Sequence, residues 1–140
     1  MVATLWEGQT MGKAMLEDLR ALLGAENVAT GPEAAEGFLR AGSKVPDWIR
    51  VTPSTTEQVQ ALVNLARERK VGILTCTNRH ALPEDLDREG ILIDFTRLNR
   101  IERIDTRNLV AHIERGVTWD QLNAELAPLG VKTYGPVAAN

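Results

Sequence analysis

The sequence holds one cysteine and aromatic residues amount to only 4% of its 140 positions. A lone cysteine cannot form an internal disulfide, so the chain needs no oxidising compartment and a reducing one is expected. Few aromatics leave few platforms for stacking nucleobases. Basic charge is not in excess either: sixteen Lys and Arg against nineteen Asp and Glu give a formal net charge of −3. A weakly acidic chain has no general attraction for nucleic acid or for an anionic membrane. No apolar run approaches the ~20 residues that a membrane-spanning helix requires. The stretch from Met1 to Gly12 mixes Trp6, Glu7, Gly8, Gln9 and Thr10, without the apolar core of a secretion signal. The expectation is a soluble, cytoplasmic protein. GxGxxG, Walker, HExxH and GxSxG motifs are all missing.

What is present is an ordinary globular mixture, 44% hydrophobic and 25% charged. A chain this apolar can bury enough surface to offset its ordering entropy. Leu16, Leu19, Leu22 and Leu23 recur at helical spacing and predict a helix from about Ala14 to Leu23, closed by Gly24. An alanine-rich stretch between Gly31-Pro32 and Gly42 reads as a short helix between loops. Trp48-Ile49-Arg50-Val51 reads as a strand ended by Thr52-Pro53. Ser54 and Glu57 have the spacing of a capping box, ahead of an apolar stripe of Val59, Leu62, Val63 and Ala66. Arg67, Arg69 and Lys70 follow where cations complement the helix dipole, which makes them a solvated helix end.

Val71-Gly72-Ile73-Leu74 and Gly90 to Phe95 are apolar runs of buried-strand type. Strand, helix and strand in succession imply parallel pairing with a right-handed crossover. Beyond Arg100 the pattern changes to period two. Leu109, Ala111 and Ile113 fall on one face, Val110, His112 and Glu114 on the other, after the turn chemistry of Asp105 to Asn108. Thr118 and Gln121 form a second capping box over a helix bearing Trp119, Leu122 and Leu126, which Pro128 and Gly130 end. The chain therefore reads as α+β: a small parallel α/β subdomain over 1–98, then the beginning of an antiparallel α+β subdomain over 99–140.

In open α/β units, ligands bind beyond the carboxyl ends of the parallel strands. Here that place is Thr75-Cys76-Thr77-Asn78-Arg79-His80, which gathers two kinds of ring or guanidine nitrogen, two hydroxyls, an amide and the thiol. Its backbone amides together with Arg79 suit a phosphate; the plain alternative is a polar connector. Cys76 has no CxxC partner and reads as an inert thiol, with thiol-based redox chemistry as the alternative. His80 and His112 lack metal-site spacing, His112 reads as a solvent-facing strand residue, and Glu84, Asp85, Asp87 and Glu89 read as a solvated acidic loop.

Four stretches carry a family likeness: Val51 to Val59, Gly90 to Ile101, Asp105 to Glu114 and Gly116 to Leu122, with Leu19 to Val28 as a weaker fifth. In this order they resemble the FAD-binding domain of the vanillyl-alcohol oxidase and p-cresol methylhydroxylase superfamily, nearest to its glycolate/D-lactate dehydrogenase branch. The resemblance implies FAD as cofactor, lying between a parallel and an antiparallel subdomain. It also implies a cap domain, or a partner subunit, that completes the substrate pocket. By this likeness Thr75, Cys76, Thr77, Asn78, Arg79 and His80 occupy the family's first phosphate loop, and Pro136 lies on the approach to its second.

The departures from that pattern are specific. The family has R-G-G-G-T or R-S-G-G-H where this chain has Cys76-Thr77-Asn78-Arg79-His80, with no glycine. Glycine matters there because it permits positive φ and close backbone approach. His80 aligns with the histidine that carries flavin covalently in the second branch, although a plain loop histidine is the ordinary reading. Glu114-Arg115-Gly116 replaces Glu-Pro-Gly, and the sequence stops at Asn140 ahead of the family's second glycine-rich segment. Two functions follow: part of an FAD-linked oxidoreductase completed by further sequence, or a non-catalytic assembly module that has lost flavin.

Overall fold

The computed structural model describes residues 9–35, 48–76 and 90–133, and these form two sheets with their covering helices. Helix α1 spans Gln9–Leu23, starting earlier than the leucine pattern alone indicates. Its inward stripe is Met15, Leu19 and Leu23, flanked by the partly buried Leu16 and Leu22. After a 3-10 turn at Ala25–Asn27 comes strand β1, Val28–Thr30, and then the four-residue helix α2, Pro32–Ala35. Strand β2 is Trp48–Val51, as its sequence predicts.

Helix α3 spans Thr56–Arg69, and its cap differs by one residue from the expected Ser54–Glu57 box. Thr55 is the N-cap: its hydroxyl accepts the Gln58 N–H at 3.2 Å. The Gln58 carboxamide returns to the Ser54 N–H at 2.8 Å, so glutamine does the work assigned to Glu57. The side chain that wins is the one whose oxygen lies over the free amide once Thr55, and not Ser54, takes the extended cap conformation. Leu62 and Ala66 are buried and Val59 is partly so, whereas Val63 is 46% exposed and lies off the stripe. At the far end Arg69 is not simply solvated: it pairs with Asp18 at 2.5 Å and ties α3 to α1. Both partners are exposed, which makes this a modest contribution.

Strand β3 is Ile73–Cys76, displaced two residues beyond the expected run. Strand β4 is Gly90–Asp94, and every one of its residues is buried. The sheet order is β1-β2-β4-β3, with β2 and β3 both parallel to β4. Strand β4 thus enters between the two strands of the predicted unit. β3 lies at the sheet's edge, where Ile73 is 37% exposed. β1 pairs antiparallel with β2, so the first sheet is mixed and not purely parallel. One face of this sheet (Ile49, Val51, Ile91, Ile93) packs against α1 and α3. The other gathers Trp48, Leu92 and Cys76. Burying a side chain such as Leu62 or Ile91 contributes roughly 1.5–3 kcal/mol, so the first face holds most of the apolar stabilisation.

The second sheet is the hairpin of β5, Ile101–Asp105, and β6, Val110–Ile113. Asp105 caps the turn by accepting the N–H groups of Arg107 (3.1 Å) and Asn108 (3.0 Å), and Leu109 takes a left-handed φ of 56°. A register shift at Ile101/Arg103 reorients the strand; Ile101, Ile104 and Ala111 then pack against helix α4, Trp119–Leu126. The Thr118–Gln121 capping box is formed as expected, and Leu122 and Leu126 are its buried residues while Trp119 is half exposed. Residues 36–43 of the expected second helix lie outside the described residues.

Among the described residues the end of the hairpin returns to the first sheet through backbone contacts at Gly116. The Gly116 N–H donates to the Leu98 carbonyl at 2.6 Å, and the Leu98 N–H donates to the Phe95 carbonyl at 2.9 Å. A methyl at Gly116 would collide with the Phe95 carbonyl oxygen and lie 2.7 Å from that of Leu98. Both obstacles are backbone and cannot swing aside. Gly116→Ala is therefore expected to destabilise the fold by roughly 2–4 kcal/mol, read as a lower urea midpoint. An unchanged midpoint would mean that this contact does not form.

Candidate functional site

The parallel strands β2, β4 and β3 run in one direction and end side by side at Val51, Asp94 and Cys76. Cys76 is in register with Asp94, and the Phe95 N–H donates to the Cys76 carbonyl at 3.2 Å. This carboxyl edge is the crevice in which an α/β sheet receives its ligand. Of the six loop residues singled out from the sequence, Thr75 and Cys76 are the last two residues of β3 and not loop. Thr77, Asn78, Arg79, His80 and Pro136 lie outside the described residues.

The Cys76 thiol is 6% exposed and donates to the Ile93 carbonyl at 3.6 Å. Burial, reinforced by the neighbouring Asp94 carboxylate, pushes its pKa up from 9.0 to about 12, against the opposing pull of Arg50 and Arg115. A thiol so held stays protonated at neutral pH and is neither a nucleophile nor a redox centre. Asp94 is itself buried, and its Oδ1 accepts the Thr96 N–H at 3.0 Å, closing a tight turn just past the strand. The carboxylate nearest the edge is thus turned inward and hydrogen-bonded.

The start of α3, which follows β2 at this edge, is occupied by its own side chains. Thr55, Gln58 and Ser54 satisfy one another, and hydrogen bonds from its own backbone N–H and from Thr55 hold the exposed Glu57 carboxyl below its ordinary range. With an anion already in its first turn, this helix end is no place for a phosphate.

The turn after β4 is braced from the hairpin side. Glu114 accepts from the Arg100 N–H at 2.7 Å, from its Nε at 3.0 Å and from its Nη2 at 2.7 Å, and these bonds hold the Glu114 carboxyl below its ordinary range. One residue on, the Arg115 guanidinium lies 5.5 Å from the centroid of the Phe95 ring. Arg97 reaches Asn27, linking the same turn to the start of β1. Position 115 gave no site signal in the sequence beyond its departure from the family's proline. His112 lies away from this edge, exposed, with Nε2 3.2 Å from Arg103 Nη2. A shallow, open groove of about 600 Å³ lies between β5 and α4, lined by Asn99, Glu102, Arg103, Gln121 and Glu125. Among the described residues no three His, Cys, Asp or Glu side chains converge as metal ligands, and no helix is long and apolar enough to cross a membrane.

Residues 49–138 match the family model described as FAD binding domain. The flavoprotein subunit of 4-cresol dehydrogenase (hydroxylating) from Pseudomonas putida is 30% identical over 131 aligned positions, covering 86% of this chain and 25% of that protein. D-2-hydroxyglutarate dehydrogenase from Pantoea ananatis is 35% identical over 95 positions, covering 61% of this chain and 9% of that one. A crystal structure of p-cresol methylhydroxylase with substrate bound superposes with a TM-score of 0.76 at 26% identity, over 93% of this chain and 27% of that one. The chain belongs to the FAD-binding domain family of p-cresol methylhydroxylase type, and its fold is the α+β fold of that family. FAD is the cofactor of the domain it contributes to. The chain spans about a quarter of the length of the p-cresol enzymes it matches.

The described edge fits a diphosphate-bearing cofactor in its charge. The Asp94 and Glu114 carboxylates are engaged inward, by Thr96 and by Arg100, while a guanidinium stands over Phe95. Thr75 and Cys76 end β3 at this edge. The thiol's place in the core gives a pH test. Above pH 9 the unfolded chain loses the Cys76 proton while the folded chain keeps it until about pH 12. Stability contributed by this group is therefore complete below pH 9 and is lost as pH rises through that window. Cys76→Ala is expected to flatten the decline in urea stability between pH 9 and 12. The native thiol should also resist a disulfide reagent at pH 8 until the chain is unfolded, and fast labelling of native protein would contradict its burial.

Proposed function

We propose that this chain is the N-terminal part of the FAD domain of an FAD-linked oxidase or dehydrogenase. In this reading residues 1–98 form one subdomain and 99–140 begin the next. The observation that carries it is the match of residues 49–138 to the FAD binding domain, joined to a parallel sheet edge whose β3 runs directly into the 77–80 segment. Thr75, Cys76, Thr77, Asn78, Arg79 and His80 would flank the FAD pyrophosphate, the first two as strand-end backbone, and Pro136 would belong to the second approach. FAD, when bound, supplies two-electron redox chemistry. A cap domain or partner subunit would supply the substrate pocket. The relative that acts on D-2-hydroxyglutarate supports 2-hydroxy acids as a substrate class. The reduced, buried thiol and the acidic net charge support a cytoplasmic protein without affinity for nucleic acid.

A second reading is a non-catalytic module of the same fold, and the glycine-free Cys76 to His80 favours it. Purifying the 140-residue chain with and without added FAD separates the two. Yellow protein that releases flavin on denaturation supports the first reading; no retained flavin under either condition counts against a cofactor role for this chain alone. Flavin that survives denaturation would mean a covalent bond, which His80→Ala must then abolish. Glycine at both Thr77 and Asn78 is expected to raise FAD affinity about tenfold by freeing backbone amides for the phosphates. If only the double-glycine chain binds FAD, the module reading holds.

A further inference from the structure

We infer that Arg115 is a charged contact for a diphosphate at the carboxyl edge of the first sheet. This rests on the proposed FAD site and assigns that site a residue which neither the family pattern nor the loop supplies.

Several observations converge on it. Arg115 belongs to the hairpin side of the chain but is delivered to the strand ends, because Gly116 beside it is clamped to the Leu98 carbonyl at 2.6 Å. Its guanidinium lies over the ring of Phe95, whose own N–H is bonded to Cys76 at the end of β3. A guanidinium held near the ring by this contact alone keeps its N–H donors for phosphate oxygens, which it can meet as a fork. Among the described residues the two nearby carboxylates do not compete for it: Asp94 is buried on the Thr96 amide and Glu114 is held by Arg100. Among the described residues Arg115 is in no ion pair, although it is exposed. Its field also reaches the Cys76 thiol and opposes the upward push there. Backbone amides and a guanidinium are interchangeable means of holding a dianion, and the second needs no positive φ. Proline at this position, the family's residue, carries no charge.

The test titrates the 140-residue chain with FAD and riboflavin, followed by flavin fluorescence, and with ADP, followed by calorimetry. Arg115→Ala is expected to weaken FAD and ADP about tenfold or more and to leave riboflavin unchanged. Arg115→Lys should retain part of the FAD and ADP affinity, and raised salt should reduce the difference between wild type and Arg115→Ala. An equal loss for riboflavin would make Arg115 a packing residue and overturn the inference, as would FAD binding indifferent to the substitution. In that last case the FAD reading stands and only the role of Arg115 falls. ADP binding without FAD binding would keep the diphosphate contact and remove the FAD reading. Binding of neither ligand by the unsubstituted chain would remove both.

Discussion

Strand β4 is hydrogen-bonded on both sides to parallel neighbours, and the rest of the structure depends on that double pairing. It brings the ends of β2 and β3 level, buries all five of its own residues, and presents Ile91 and Ile93 to the helices and Leu92 to the opposite face. Its amino end needs glycine: a side chain at Gly90 would approach the Gly72 carbonyl within 2.7 Å, the same carbonyl that accepts the Ile91 N–H. Its carboxyl end passes into the Asp94–Thr96 turn and then to the Phe95–Leu98 contact with Gly116. Position, sheet order and the attachment of the hairpin all follow from one strand.

Much of this was legible. The leucine spacing of α1, the period-two pattern of the hairpin and the Thr118–Gln121 box are local signals, and elements formed over them, α1 beginning earlier at Gln9 and β6 later at Val110 with Leu109 exposed. β1 left no signature, because three residues, Val28-Ala29-Thr30, are too few to display a period. The shift of β3 to Ile73–Cys76 has a tertiary cause. Its register is fixed by β4, where Ile73 pairs with Ile91 and Cys76 with Asp94, far away in sequence, and the Val71 N–H is drawn to Ala66 as the helix closes at Lys70. Pattern reading also took an edge strand for a buried one, since Ile73 and Leu74 are apolar whichever place in the sheet they occupy.

The site was legible as a place more than as a set of side chains. The carboxyl edge could be located from strand order, and family likeness named its cofactor. Cys76 reads as an inert thiol for want of a CxxC partner, and its thiol does face Ile93 and the core. Arg115 was the reverse: a substitution at a turn, unremarkable in one dimension, becomes prominent because the hairpin returns it to Phe95. Long-range return of this kind depends on which backbone groups meet, and no local window contains that information.

The base of the hairpin has a consequence for how such chains can diverge. Arg100 and Glu114 are joined by a backbone bond of 2.9 Å, and Leu98 and Gly116 by another of 2.6 Å, so the segment between them leaves and rejoins the body at adjacent points. Its tip, Thr106 to Leu109, is remote from those anchors and exposed. Residues added at the tip would lengthen a loop whose ends are already closed, at an entropic cost that grows only logarithmically. The tip is therefore where length can vary between relatives without disturbing the strand ends, while the spacing from Phe95 to Leu98 and the glycine at 116 have to be kept.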